Sequence, residues 1–157
     1  MKRILFAVLL VTVVTNLFGQ SEKYAGAMQK NLEAFANAKT DAEVLDLSNA
    51  FERIADAEKN QWLAYYYAAQ AQIIYGYMQK DMTGVDPIAD KAEILINKAD
   101  ALEQNNSEIS CIKSMVAGLR MMVNPMQRWQ QYGALSGQLL EEAKKQDPTN
   151  PRPYALQ

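Results

Sequence analysis

Few side chains in this sequence could carry out chemistry. It contains no histidine and a single cysteine, Cys111. Without imidazole there is no histidine general base, no Ser-His or Cys-His nucleophile and no histidine metal site. One cysteine also excludes an intrachain disulfide and a cysteine zinc cluster. We therefore predict a non-catalytic protein with no cofactor and no metal site, in which Cys111 is a buried structural thiol.

The acidic residues between positions 81 and 90 do not form a metal-binding pattern. Asp81, Asp86 and Asp90 lack the alternating spacing and the final glutamate of a calcium loop. Asp86 precedes Pro87, and this pairing is typical of the first turn of a helix. The sequence therefore predicts that Asp86 is a helix N-cap rather than a metal ligand.

Two groups of aromatic and basic residues are candidates for binding a partner. The first is Tyr65-Tyr66-Tyr67 with Tyr75 and Tyr77, which predicts either a ligand-contacting groove or packing between helices. Consecutive helical residues point about 100° apart, so we expect Tyr66 to be buried and Tyr67 to reach a groove. The second group, Arg120, Arg128, Trp129 and Tyr132, flanks Asn124-Pro125 and predicts either carboxylate recognition or a loop staple. The candidate partner-binding residues are Tyr67, Tyr75, Arg120, Arg128 and Trp129.

The elements that must position these residues all have helical periodicity. Apolar residues recur at spacings of three and four, and no stretch alternates with a period of two. Thr40 followed by Glu43 predicts a capping box, and Asn106 or Ser107 predicts the start of another helix. The sequence predicts an all-α fold of about six helices, with one continuous helix after Asn124-Pro125.

The first residues have the pattern of an export signal. Two basic residues are followed by an apolar run and then by small and polar residues ending at Gly19, as in a secretory signal peptide. We predict a signal peptide over residues 1–19 and a mature domain over residues 20–157. No cysteine lies near the cleavage point, so no lipoprotein anchor is expected. The predicted location is the periplasm or the extracellular space, with no stable membrane span after cleavage.

A repeat with a period of 44 residues runs through the mature chain. Ala55, Ala99 and Ala143 follow each other at this spacing, and a small residue stands seven positions before each alanine, at Ser48, Ala92 and Ser136. The copies predict helices paired into hairpins, with small residues where the helices touch. The 157 residues, 49% hydrophobic and 22% charged, fit one domain.

These paired small residues resemble the tetratricopeptide repeat. Pro148 stands where that family has its closing proline, and Tyr154, like Tyr66, stands at its usual aromatic position. The period departs from the family's 34 residues, so the chain resembles a divergent, exported member. The resemblance implies a short solenoid of stacked hairpins that binds other proteins.

The sequence of the C-terminal residues 147–157 allows two interpretations. "DPTNPRPYALQ" predicts either the start of a further repeat in a longer, truncated solenoid or an ordered tail. In the second case Tyr154 and Leu156 would pack as a lid on the last hairpin.

Two functions are compatible with the predicted fold and export signal. The first is a non-catalytic scaffold of the cell envelope that binds a protein or a peptide. The alternative is a small-ligand binder that uses the tyrosine-rich face and the region of Trp129. The net charge of −2, with no basic cluster beyond Lys144-Lys145, argues against a nucleic-acid partner.

Overall fold

The computed structural model of the protein describes residues 22–157, and this part of the chain contains helices and no strands. The predicted all-α fold is confirmed. The predicted signal peptide, residues 1–19, lies outside the described residues. Within residues 22–157, no helix combines the length and the apolar composition that crossing a membrane requires.

Eight α-helices follow each other along residues 22–157, and two of them, α6 and α8, are only four residues long. They are α1 (residues 22–37), α2 (Asp41–Glu58), α3 (Trp62–Tyr77), α4 (Asp86–Leu102), α5 (Ser107–Val123), α6 (Pro125–Arg128), α7 (Ala134–Gln146) and α8 (Arg152–Ala155). A 3-10 turn, Met82–Gly84, precedes α4, and a π-helical turn, Trp129–Gly133, joins α6 to α7 as one interrupted region.

Local capping interactions set several helix boundaries. Thr40 accepts a hydrogen bond from the Glu43 backbone N–H, and the Glu43 carboxylate accepts one from the Thr40 N–H, which confirms the predicted capping box. The Asn106 side chain accepts hydrogen bonds from two backbone N–H groups in the first turn of α5. At the end of α2, Lys59 adopts the left-handed conformation with φ 54° and stops the helix.

The prediction for Asp86 was wrong. Asp86 is the first residue of α4, its N-cap is Val85, and no side chain caps this helix. The Asp86 carboxylate instead accepts two hydrogen bonds from Arg128, 42 residues further along the chain. A charged guanidinium satisfies a carboxylate through two parallel bonds, and this tertiary contact replaces the local cap.

The helices pack as stacked neighbours. α3 lies between α2 and α4, and α5 contacts α3, α4 and α7. α1 joins the stack through Phe35, whose ring meets Phe51 of α2 edge-on at 6.0 Å between centroids. The columns of small residues lie at these contacts: Ser48, Ala55, Ala92, Ala99 and Ala143 are at most 1% exposed, and Ser136 is half-buried. The hairpin arrangement follows from these contacts, whereas the resemblance to the tetratricopeptide repeat itself stays a prediction.

The helix predicted after Asn124-Pro125 is interrupted. α6 gives way to the π-helical turn, and α7 begins only at Ala134. Gly133 ends the π turn, and glycine is among the poorest helix formers. A π turn contains one more residue than an α turn, so it rotates the side chains before it relative to those on α7.

The C-terminal residues form the short helix α8, which contacts α5 and α7. Pro153 is buried, whereas Tyr154 is 53% exposed and Leu156 is 38% exposed. These residues are therefore ordered against the last helices, as in the second interpretation, although Tyr154 and Leu156 are only partly covered. The first interpretation, the start of a further repeat, stays a prediction.

Candidate functional site

The two predicted tyrosines on α3 pack within the helical stack. Tyr67 is half-buried and stacks on Phe51 of α2, with 5.5 Å between ring centroids, and meets Tyr66 edge-on at 5.1 Å. Tyr66 is 3% exposed, as predicted. Tyr75 is also half-buried. These contacts give Tyr67 a packing role, and the partner-binding role of Tyr67 and Tyr75 stays a prediction.

The predicted residues Arg120, Arg128 and Trp129 belong to one region around the end of α5 and the start of α6. Arg128 donates a hydrogen bond to the backbone carbonyl of Arg120 at 3.1 Å. Trp129 begins the π turn and is 58% exposed. The cation–π contact of Arg128 is with the ring of Tyr132, at 6.0 Å from its centroid. Arg128 therefore links its loop to α4 and α5. This agrees with the loop staple, one of the two roles that the sequence predicted.

A groove opens beside this cluster, between α4 and α7, with α5 as its floor. We call it the α5 groove; its volume is about 240 Å³. Its lining residues are Glu93, Ile96, Asn97, Lys113, Val116, Ala117, Arg120, Tyr132, Leu135 and Leu139. The apolar members form the floor and one wall, and the charged members come from α4 and α5. The groove is therefore amphipathic, a common property of small-molecule sites.

The face of α5 that forms the floor has a simple periodicity. Lys113, Val116, Ala117 and Arg120 lie at positions i, i+3, i+4 and i+7 of α5, and such residues share one side of a helix. Ala117 is 2% exposed and Val116 is 4% exposed, so short side chains make the floor. Lys113 and Arg120 stand two turns apart, roughly 10 Å along the axis. The two cations therefore flank an apolar floor.

The charges of the α5 groove are held by carboxylates from α4. Nη2 of Arg120 donates a hydrogen bond to Glu93 at 2.6 Å and forms an ion pair with Asp90 at 2.7 Å. Lys113 donates to Asp100 at 2.7 Å. Burial opposes the charge of Arg120, but the hydrogen bonds to the two carboxylates outweigh it and raise the pKa of the guanidinium. Arg120 is therefore a permanent cation at the edge of the groove.

Large apolar side chains lie exposed next to the α5 groove. Leu135, which lines it, is 41% exposed, and Met126 and Trp129 on the preceding segment are 87% and 58% exposed. Soluble proteins expose large clustered apolar groups mainly where something binds. The π turn that carries Trp129 belongs to a class of helix defect that is frequent at functional sites.

A second groove lies between α1 and α2, with a volume of about 480 Å³. It is lined by Lys23, Tyr24, Ala27, Asn31, Ala50, Arg53, Ile54, Ala57 and Glu58. The Tyr24 hydroxyl is buried and has no hydrogen-bond partner among residues 22–157. Burial and the nearby Glu58 raise the pKa of Tyr24, so the phenol stays neutral. No feature of the sequence indicated this groove.

Cys111 plays no part in either groove. Its side chain is fully buried, and burial, followed by the charge of Glu108, raises the pKa of the thiol to about 11. A neutral, inaccessible thiol is a poor nucleophile and a poor metal ligand. The prediction of a buried structural thiol is confirmed.

Most residues that line the α5 groove were not predicted from the sequence. Arg120 was predicted, but Lys113, Ala117 and Leu139 were not. The sequence did contain one indication of the groove, namely two cations and two small apolar residues at positions i, i+3, i+4 and i+7 of α5. It could not be used without knowing that α4 and α7 leave this face of α5 uncovered.

Comparison with known proteins finds a solved structure with the same fold. No protein-family model and no curated protein sequence matches the chain. The HusA haemophore from Porphyromonas gingivalis matches with a TM-score of 0.77 and 38% sequence identity, over 85% of this chain. The match spans 65% of the haemophore chain, just under two thirds of its length. The chain is thus similar in fold to a protein named as a haemophore.

Proposed function

We propose that this protein binds a small, flat, largely apolar ligand with acidic groups, of the haem or porphyrin type, in the α5 groove. The observation that carries the proposal is the amphipathic groove itself, with an apolar floor between two cations. The similarity to a protein named as a haemophore supports the same class of ligand. It favours the small-ligand alternative over the scaffold that binds a protein or a peptide.

The size of the α5 groove suggests how such a ligand would sit. Ligand pockets usually measure about 300–1,000 Å³, and this groove measures about 240 Å³. A macrocycle would insert one edge over Ala117 and Val116 and rest its remaining face on Leu135. Apolar contact contributes roughly 2.5 kcal/mol for each 100 Å² removed from water, so partial burial of the ring would favour binding.

The residue types present constrain the mode of binding. The sequence has no histidine, and its only cysteine is buried, so imidazole and thiolate are not available to ligate a haem iron. The proposed recognition uses the faces of the ring and its acidic groups. Arg120 and Lys113, on the same face of α5, are the cations that would meet those groups.

The proposal is tested by titrating the purified protein with haem and following the absorbance of the bound ligand. Leu135→Glu places a charge in the groove and should weaken binding at least tenfold. Ile94→Glu is the matched control, because Ile94 is an apolar residue of α4 that is 54% exposed and does not line the groove. The proposal fails if the unmodified protein does not bind haem, or if the two variants bind it equally well.

A further inference from the structure

The α5 groove has a counterpart in the preceding copy of the 44-residue repeat. There α2, α3 and α4 occupy the places that α4, α5 and α7 occupy around the groove. Ala69, Gln72, Ile73 and Gly76 of α3 stand 44 positions before the four floor residues of α5. Ala69 and Ile73 are 0% exposed, Gln72 is 6% exposed, and Gly76 is buried. This face of α3 is therefore covered, whereas the corresponding face of α5 lines a groove.

Two ion pairs join the outer helices of the covered copy. Lys91 of α4 donates to Glu52 of α2 at 2.6 Å, and Nζ of Lys98 lies 3.4 Å from the carboxylate of Asp56 on α2. The two lysines are seven residues apart on α4, which is about two helical turns. Because α3 packs between α2 and α4, the pairs draw these two helices together over α3.

The copy that contains the groove has neither pair. Leu135 of α7 and Ile96 of α4 occupy the positions of the first pair, and both line the α5 groove. Glu142 of α7 and Asp100 of α4 occupy the positions of the second pair, and two carboxylates repel each other. Asp100 pairs instead with Lys113 of α5 at 2.7 Å. Within residues 22–157, no ion pair joins α4 to α7.

The floor of the groove differs from the covered copy in the same direction. Lys113 and Arg120 stand where the covered copy has Ala69 and Gly76. The covered face has no room for a longer side chain, since a Cβ on Gly76 would lie 2.6 Å from a methyl group of Leu119. The copy whose outer helices are not joined is thus also the copy that carries two cations on its floor. Both differences are those that a site for an acidic ligand requires.

We propose that the α5 groove is the helix seam of the repeat without its closing ion pairs, and that Glu142, at the position of Lys98 in the covered copy, keeps α7 apart from α4. This inference rests on the proposed function. It assigns Glu142 a positioning role, because Glu142 does not line the groove. A cation at position 142 would restore the pairing of the covered copy, with Asp100 as its partner. The groove would then narrow, and the ligand would bind more weakly.

The experiment measures the affinity of Glu142→Lys for haem. The ion pair that this substitution allows is exposed to water and therefore weak, so we expect the affinity to fall about threefold. Electrostatic attraction alone predicts the opposite sign, because an added cation attracts an acidic ligand. A fall in affinity therefore indicates closure of the groove.

Glu141→Lys is the matched control. It makes the same change of charge on the neighbouring residue of α7, which is 57% exposed and points about 100° away from Glu142, so it should not weaken binding. Glu142→Lys should also leave the affinity unchanged in an Asp100→Asn background, which lacks the partner charge. The inference is overturned if Glu142→Lys binds haem as tightly as the unmodified protein. It is also overturned if Glu141→Lys weakens binding equally, or if the loss persists in the Asp100→Asn background.

Failure of the proposed function gives a different result. If the unmodified protein does not bind haem, the proposed function fails, and urea unfolding of the same variants still measures the ion pair. A gain in stability from Glu142→Lys that disappears in the Asp100→Asn background would support the inference. An equal effect in both backgrounds would overturn it.

Discussion

Replacing Asp86 by asparagine removes the charge that holds α6 against α4. The carboxylate accepts hydrogen bonds from Arg128 at 2.7 and 2.8 Å. A hydrogen bond to a charged group contributes about 1.5–3 kcal/mol to stability. Here the Arg128 and Asp86 side chains are 29% and 36% exposed, and exposed ion pairs contribute at most about 1 kcal/mol. The two-pronged geometry is favourable, so we expect a loss of about 1 kcal/mol and a fall in Tm of about 3 °C.

The pH dependence of this loss of stability tests whether it comes from the charge of Asp86. The hydrogen bond from Arg128 lowers the pKa of Asp86. A carboxyl group with a lowered pKa in the folded state stabilises that state fully above its unfolded pKa of about 3.9. The contribution disappears as the pH falls through the folded-state pKa. Asp86→Asn should therefore destabilise the protein more at pH 7 than at about pH 3, below the unfolded pKa.

Urea unfolding at the two pH values measures both effects. Asp46→Asn is the matched control, because Asp46 is an exposed residue of α2 that forms no ion pair within residues 22–157. The reasoning is refuted if Asp86→Asn costs the same free energy at both pH values. It is also refuted if the variant is no less stable at pH 7 than the control.

Three further predictions concern the packing of the helices. Tyr66→Phe removes a 2.7 Å hydrogen bond to Glu108 and should cost about 1–2 kcal/mol in urea unfolding. Burial, followed by the hydrogen bond to Glu108, raises the pKa of Tyr66 in the folded state. The stabilisation is therefore fully present below the unfolded pKa of about 10 and is lost as the pH rises above it. Gly76→Ala would place a Cβ 2.6 Å from a methyl group of Leu119 and should cost about 1–3 kcal/mol by displacing this fully buried side chain. Gly26→Ala, with open space around it, should not destabilise the protein. Cys111 should react with a maleimide only when the protein unfolds, since it is fully buried, and rapid labelling of the native protein would contradict its assigned position.

What the sequence could predict about the candidate site was limited to single residues. Arg120 and Trp129 could be grouped from the sequence because both lie within a few positions of Asn124-Pro125. Their roles were not predictable, since the partners of Arg120 are Asp90 and Glu93 on α4. A guanidinium is chemically the same at every position of a sequence, and only its neighbours in space decide its role.

The sequence by itself determined the helices and their contacts with close neighbours. Helix formation and capping depend on residues within one or two turns, as with Thr40 and Glu43. The columns of small residues likewise predicted where the helices touch, because a repeat places them at a constant spacing. Only the tertiary structure decided that Asp86 pairs with Arg128 and that α4 and α7 leave one face of α5 uncovered. The physical reason is that a groove is a space between elements distant in the chain, and no local preference encodes its width.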